Sequence, residues 1–263
     1  MDRMNALGKS TPRTPIAHAA CTLPSTLLQT RDSLGDRPLD LPPAAVYEWL
    51  QPLGVERRFQ AGETLFKAGE PFRALYLLRA GSAKRTLLHP DGREQVLGFA
   101  LSGDLLGLAS LGAPCYQATA TALELCLALE IPLERLDLAL SEDPRIGELL
   151  LSRLGHALRE RHGWMVTLGA LSAEARVASF LLDLSARFRA RGYSGERFVL
   201  KMTRAEIGGL LGLTLETVSR VLSRFQQRGL IRLERRELAI VDREALVRVA
   251  RGADGLAPGR RPH

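Results

Sequence analysis

A pair of short helices around a glycine turn, within residues 202–225, restricts the fold of this chain more than any other feature. Residues 203–206 (Thr-Arg-Ala-Glu) match a capping box, so we expect the first helix to begin near Arg204. Gly212 suits the left-handed position that ends a helix, and Thr214 can cap the start of the next one. Two helices joined by a short glycine-containing turn form a helix-turn-helix.

The second helix has a polar and an apolar face. Successive residues lie ~100° apart around a helix, which puts Glu216, Ser219 and Arg220 in one arc, together with Ser223. The opposite arc has the i, i+3, i+4, i+7 spacing of a buried face. That apolar arc consists of Val218, Val221, Leu222 and Phe225.

A polar arc on the second helix of a helix-turn-helix is suited to reading DNA, because this helix enters the major groove by its N-terminal end. Arginine can donate hydrogen bonds to guanine, glutamate can accept one from cytosine, and serine can donate or accept a hydrogen bond. We therefore predict that Glu216, Ser219 and Arg220 read bases. The alternative is an ordinary helical hairpin with a charged outer face. Phosphate contacts are predicted for the neighbouring hydroxyl and guanidinium groups, which are Thr203, Thr214, Thr217 and Arg224.

Positive charge is concentrated in the same part of the chain. Residues 172–263 hold 18 Arg and Lys against 10 Asp and Glu, whereas residues 1–171 hold 18 against 19. An asymmetry of this kind favours a nucleic-acid partner, and double-stranded DNA is the one we expect. A solvated basic surface is the alternative interpretation for Arg187, Arg189 and Arg191.

Beyond the second helix the pattern changes to strands. Residues 230–233 and 237–241 alternate around Glu-Arg-Arg, which predicts the hairpin wing of a winged helix. Asp242 could cap a last helix that runs to about Arg251. We place the winged domain at residues 172–251 and expect a flexible tail at 252–263.

The other end of the chain lacks a lasting apolar period. Residues 1–38 are rich in Thr, Pro and Ser and are expected to be disordered. No signal peptide or membrane span is predicted, and the three cysteines do not form a disulfide framework. We expect a cytoplasmic protein without membrane contact.

Residues 39–142 are interpreted as one β domain. A short helix is expected near residues 41–49, followed over about residues 57–132 by short strands with regularly spaced turns. This spacing is typical of a β-roll or barrel.

A long helix is predicted over residues 143–171. Its apolar residues follow a spacing close to a heptad, which favours a dimerisation seam, although burial against the β domain is an alternative. Arg161 interrupts the seam and could face a carboxylate such as Glu160 of the partner. The predicted dimer interface is Ile146, Leu150, Leu154, Ala157, Trp164 and Leu168.

A β-roll, a long helix and a winged helix-turn-helix follow one another along the chain. In this order of elements the chain resembles the CRP/FNR family of bacterial transcription regulators, most closely its FNR branch. The resemblance implies an α+β fold: an N-terminal cyclic-nucleotide-binding-like β-roll, a long dimerisation helix and a C-terminal winged helix-turn-helix. It covers roughly residues 45–250. The stretches that carry it are residues 62–70, 92–99, 103–107, 130–132 and 202–225.

The resemblance also implies a DNA sequence. In the FNR branch the Glu, Ser and Arg of the pattern Glu-Thr-x-Ser-Arg read a TTGAT half-site, and these are Glu216, Ser219 and Arg220 here. We therefore expect a homodimer on a TTGAT…ATCAA palindrome. The loop at residues 89–93 occupies a place where relatives contact RNA polymerase.

The signal is not assigned by the sequence. The oxygen-sensing relatives hold a [4Fe–4S] cluster with four cysteines, whereas this chain has only Cys21, Cys115 and Cys126, so a cluster is disfavoured. Cyclic AMP is disfavoured because no arginine lies between Arg93 and Arg135 to hold its phosphate. Haem and the absence of any effector both stay open, and no cofactor is predicted.

Two other classes of function are the alternatives. A ligand-binding module that does not act through specific DNA binding is the main alternative, and the intact polar arc argues against it. An enzyme is not expected, because the sequence has no phosphate loop, paired metal-ligand motif or nucleophile–base set.

Overall fold

The computed structural model describes residues 43–89 and 91–252. The predicted disordered segment and all but the first residue of the predicted tail lie outside these residues. The described part begins with helix α1 (Pro43–Leu50) and a 3-10 turn (Gln51–Leu53). None of the described helices carries an apolar stretch long enough to cross a membrane.

The predicted β-roll is confirmed as two four-stranded antiparallel sheets. One sheet has the strand order β1-β8-β3-β6 and the other β2-β7-β4-β5. The strands are β1 (Val55–Phe59), β2 (Thr64–Phe66), β3 (Ala74–Ala80), β4 (Ser82–Leu88), β5 (Glu94–Leu101), β6 (Leu105–Leu106), β7 (Thr119–Ala122) and β8 (Cys126–Pro132).

The interior of the roll combines small and aromatic side chains. Ala120 and Ala122 point inward from alternate positions of β7, as the period of a strand requires. The rings of Phe66 and Tyr116 stack with their centroids 4.1 Å apart, and the Tyr116 hydroxyl donates to the carbonyl of Ala74 at 2.8 Å. The buried phenol therefore has a polar partner.

Two helices leave the roll. The first, α2 (Leu133–Glu142), was not predicted, although Leu136 and Ala139 supply a short buried face. The second, α3 (Pro144–Ala170), matches the predicted long helix; Asp143 caps it by accepting from the amide of Arg145, and proline occupies its first turn.

The C-terminal domain is a winged helix-turn-helix, as predicted. Its wing has a third strand that the sequence pattern did not predict, so that the sheet order is β10-β11-β9. The elements are α4 (Ala173–Ala190), β9 (Arg197–Val199), α5 (Arg204–Leu211), α6 (Leu215–Gln227), β10 (Ile231–Glu234), β11 (Glu237–Ile240) and α7 (Arg243–Ala250).

The roll and the winged domain share one hydrophobic core. Val96, Phe99 and Leu101 of β5 belong to the same buried cluster as the cores of α4 and α6. The ring of Phe99 meets the ring of Phe180 edge-on, with centroids 6.0 Å apart. The last strand of the β4–β5 hairpin thus helps to build the core of the DNA-binding domain.

Two arginines, one near the end of α4 and one directly after it, show that the interpretation as a solvated basic surface was wrong at these positions. Arg187 and Arg191 are mostly buried and both donate to the carboxylate of Asp104 in the roll. Arg187 also donates to the carbonyl of Phe99 at 2.9 Å. Asp104 is therefore the anion that ties the end of α4 to the roll.

The dimer seam predicted on α3 is wrong in part. Ile146 and Leu150 are only 7% and 6% exposed, because they belong to the core formed with α1, α2 and the roll. Trp164 packs beside Phe180 of α4, with ring centroids 6.5 Å apart, and Ala157 lines a cavity against the roll. Leu154 and Leu168 are half-buried. The helix has apolar residues on two faces, and the predicted seam falls largely on the inner one.

We predict that Asp104→Asn destabilises the protein by roughly 2–3 kcal/mol, since it leaves two mostly buried guanidinium groups without their anion. Urea unfolding of the full chain measures this loss. Asp137→Asn, on the exposed side of α2, is the matched control and should change stability by less than about 0.5 kcal/mol. Equal effects of the two variants would contradict the role given to Asp104.

Candidate nucleic-acid interface

We call α5, the turn that follows it and α6 the reader. Its first helix, α5, begins at the predicted capping box. The amide of Glu206 donates to Thr203 Oγ1 at 3.1 Å, and the amide of Thr203 donates to Glu206 Oε2 at 2.7 Å. Two amides at the start of α5 are satisfied in this reciprocal way. Hydrogen bonds and the ion pair to Lys84 outweigh burial and lower the pKa of Glu206.

The turn between the two helices depends on glycine at two positions. Gly212 has φ 62° and ψ 38°, the left-handed conformation expected for it. The amide of Leu213 donates to the carbonyl of Gly208 at 2.9 Å, and a Cβ added to Gly208 would lie 2.5 Å from the carbonyl oxygen of Leu213. Only glycine at 208 lets the chain close this tightly.

The second helix, α6, has the two faces that the sequence predicts. Thr214 caps it by accepting from the amide of Thr217 at 3.2 Å. The whole apolar arc is buried, and Val218 and Phe225 are at 0% exposure. Burial of this arc against α4, α5 and the wing fixes which side of α6 faces outward.

The polar arc points away from the protein. Glu216 and Arg220 are exposed and Ser219 is half-exposed. The backbone amide of Glu216 and the hydroxyl of Thr214, helped by the charge of Arg220, lower the pKa of the Glu216 carboxyl. Glu216 is therefore ionised at neutral pH and acts only as a hydrogen-bond acceptor. Arg220 Nη2 donates to Thr217 Oγ1 at 3.3 Å.

The residues predicted to hold phosphates have mixed surroundings. Thr203 and Thr214 are exposed at the starts of α5 and α6, where helix N-termini favour anions. Thr217 is half-buried. Arg224 donates to Glu174 of α4 at 2.6 Å, so its side chain already has an anionic partner within the chain.

Three side chains whose contacts the sequence did not reveal hold the reader in place. Arg176 of α4 donates to the carbonyls of Leu171 and Leu211, at 3.0 and 3.1 Å. From the roll, Lys84 forms an ion pair with Glu206 at 3.1 Å, and the side-chain amide of Gln95 donates to the carbonyl of Gly209. No local pattern announces such contacts, since the partners lie on separate elements far apart in the chain.

Comparison with known proteins agrees with this geometry. Residues 175–249 match the family model of the Crp-like helix-turn-helix domain, and residues 56–143 match that of the cyclic nucleotide-binding domain. The transcriptional activator protein Anr of Pseudomonas aeruginosa is 42% identical over 196 residues, which cover 74% of this chain and 80% of that protein. The chain belongs to the CRP/FNR family.

Two further relatives support the same assignment. The fumarate and nitrate reduction regulatory protein of Escherichia coli K12 is 37% identical, over 74% of this chain and 79% of its own length. The structure of FixK2 from Bradyrhizobium japonicum superposes with a TM-score of 0.69 at 30% identity and covers 74% of this chain and 96% of that one. The protein is thus a DNA-binding transcription regulator of the CRP/FNR type.

Two of the three cysteines, Cys115 and Cys126, lie within the described residues. Cys126 is fully buried in the roll and its Sγ donates to the carbonyl of Ser82 at 3.2 Å; burial raises the pKa of its thiol. Cys115 is half-buried in a loop beside Pro71, and Cys21 lies outside the described residues. Within residues 43–89 and 91–252, no three His, Cys, Asp or Glu side chains group as a metal site.

A cavity lies within the part of the chain that matches the cyclic nucleotide-binding domain, against α3. Residues 108–110 and Ala118 form part of its wall. Residues 108–118 contain no arginine, as the sequence shows, but Arg85 of β4 and Arg161 of α3 reach the same cavity. The sequence did not predict either arginine at this cavity, because both come from elements outside residues 108–118.

Proposed function

We propose that this regulator binds a TTGAT…ATCAA palindrome as a homodimer and reads each half-site with Glu216, Ser219 and Arg220. The observation that carries the proposal is the outward-facing polar arc of α6, whose three side chains lie in its N-terminal half. This end of the helix is the one that a helix-turn-helix inserts into the major groove. The FNR-branch pattern Glu-Thr-x-Ser-Arg supports the half-site sequence.

The proposed chemistry follows from the charge state of each side chain. Arg220 donates two hydrogen bonds to guanine O6 and N7, and ionised Glu216 accepts from cytosine N4. Thr203, Thr214 and Thr217 are placed to contact phosphates, and Arg224 exchanges Glu174 for a phosphate when DNA binds. The excess of positive charge in residues 172–263 adds affinity that does not depend on sequence.

Arg220→Ala tests the base reading. It should lower the preference for TTGAT over a scrambled site by about 1–3 kcal/mol, since one bidentate guanine contact is lost. Fluorescence anisotropy with both duplexes at a single salt concentration measures the preference. Arg248→Ala, which removes an exposed arginine from α7, is the control and should leave the preference intact. An undiminished preference in Arg220→Ala would contradict the proposal.

The outer face of α3 supplies the proposed dimer interface. Leu151, Leu158 and Met165 are 71%, 56% and 70% exposed, and they are spaced seven residues apart as in one position of a heptad repeat. Three large apolar side chains in a row on a helix surface favour a second helix as their cover. Leu154 and Leu168 lie at the edge of this stripe, and we retain these two residues of the predicted seam in the proposed interface.

Met165→Glu should shift the dimer toward monomer, because it places a like charge opposite its copy on the two-fold axis of the pair. Sedimentation velocity at micromolar protein measures the change. Leu138→Glu, at a 60% exposed position on α2, is the matched control and should leave the dimer unchanged. A dimer that tolerates Met165→Glu would exclude this face of α3.

The proposal includes neither an iron–sulfur cluster nor cyclic AMP. A cluster would need Cys126, whose thiol is enclosed in the core of the roll. Protein purified without oxygen is expected to be colourless, and a visible absorbance band with bound iron would overturn this part. A Soret band would instead reveal haem. An interaction with RNA polymerase and a cytoplasmic location are proposed from the resemblance to the family.

A further inference from the structure

Two ion pairs hold the first helix of the reader against the roll. Lys84 of β4 pairs with Glu206 in the first turn of α5, with Nζ 3.1 Å from Oε1. Two residues before the cap of α5, Lys201 pairs with Glu124, which lies between β7 and β8 of the roll, with Nζ 2.9 Å from Oε2. The roll therefore supplies the cation of one pair and the anion of the other.

A further contact fixes the second turn of α5. The side-chain amide of Gln95 donates to the carbonyl of Gly209 at 2.5 Å. The backbone of α5 also lies close to β5, because a Cβ added to Gly209 would be 3.1 Å from Cγ2 of Val96. The roll thus contacts α5 in both of its turns and just before its start, so the helix cannot rotate or slide without breaking one of these contacts.

The Lys84–Glu206 pair is charged at neutral pH. Its two side chains are only 16% and 18% exposed. Burial works against both charges, but hydrogen bonds and the opposite charge outweigh it, so the pKa of Lys84 is raised and the pKa of Glu206 is lowered. Glu206 also accepts from the amide of Thr203 at 2.7 Å. Through Glu206, Lys84 therefore holds the capping box of α5 itself.

The orientation of α5 determines the orientation of the base-reading helix. The two helices are joined by the tight turn from Gly208 to Gly212, and they share one buried core. Only residues 171 and 172 lie between α3, which carries the proposed dimer interface, and α4 of the winged domain. In the dimer, the separation of the two α6 helices then depends on how each reader is held against its own roll.

We propose that these roll contacts determine which operator spacing the regulator accepts, an inference that rests on the proposed dimer and its palindrome. One extra base pair between two half-sites moves one of them by about 3.4 Å along the duplex and turns it by about 35°. A reader held in both turns of α5 cannot follow such a displacement. Lys84, Lys201 and Glu124 are thus positioning residues, which act on spacing through α5 while the side chains of α6 read the bases.

A purely structural role of the ion pairs makes a different prediction. Pairs that only stabilise the fold would, when broken, lower the melting temperature and weaken every operator in parallel. A positioning role changes the ratio of affinities between spacings, because a loosened reader reaches separations that a fixed reader rejects. This ratio also cancels most of the non-specific effect of charge, since the duplexes compared carry nearly the same number of phosphates.

The experiment begins with operators that the full chain itself selects from random duplexes, so that it does not depend on the TTGAT half-site. Fluorescence anisotropy at one salt concentration compares the selected spacing with spacings one base pair shorter and longer. Wild-type protein should bind the altered spacings at least about tenfold more weakly, because a displaced reader loses at least as much as it would at one mismatched base pair.

A charge swap at the Lys201–Glu124 pair provides the main variants. Lys201→Glu and Glu124→Lys each bring like charges together and should reduce the spacing penalty about two- to fivefold, the range expected of one partly exposed ion pair. The double variant restores the attraction and should restore the penalty. Arg197→Glu, at an exposed position of β9, makes the same charge change away from both ion pairs and should leave the ratio unchanged.

Lys84→Met tests the other ion pair. Methionine keeps an apolar stem and removes the ammonium group, so the variant should also relax the spacing penalty. Binding to a duplex with a single half-site, and the preference for that half-site over a scrambled one, should stay as in the wild type, because the polar arc of α6 is unchanged.

Equal binding of wild-type protein to all three spacings would overturn the inference. So would a wild-type ratio in both Lys201→Glu and Lys84→Met, a parallel loss at every spacing, or a charge swap that fails to restore the penalty. Selected palindromes with a half-site other than TTGAT would overturn the proposed base reading and leave the spacing inference standing. Selected sites with a single half-site would overturn the palindrome-binding dimer together with this inference.

Discussion

The burial of one face of α6 is the interaction on which the rest of this structure depends. Val218, Leu222 and Phe225 are enclosed by a core to which α4, the wing and strand β5 of the roll all contribute. Burying side chains of this size stabilises a protein by about 1.5–3 kcal/mol each. Because that arc is fixed inward, the polar arc has only one direction left, which is outward. The reader is thus positioned by hydrocarbon that never touches DNA.

The same core makes the sensor-like roll a structural neighbour of the reader. Lys84 and Gln95 of the β4–β5 hairpin contact α5 directly, and Asp104 holds α4 through Arg187 and Arg191. A rearrangement of β4 or β5 would therefore reach the helix-turn-helix through packed atoms and ion pairs, without a flexible linker between them. Contiguous contacts of this kind are one physical route by which energetic coupling between two sites is carried.

Local chemistry predicted the reader well, and long-range pairing was what the sequence concealed. The capping box at Thr203, the left-handed Gly212 and the two-faced α6 depend on residues within one or two turns of each other, so spacing alone reveals them. Arg187 and Asp104 lie 83 residues apart, and a run of arginines looks the same in sequence whether it is solvated or paired. The dimer interface predicted on the long helix was wrong in part for another reason. Both faces of this helix are apolar, and periodicity does not tell which face is buried within the chain.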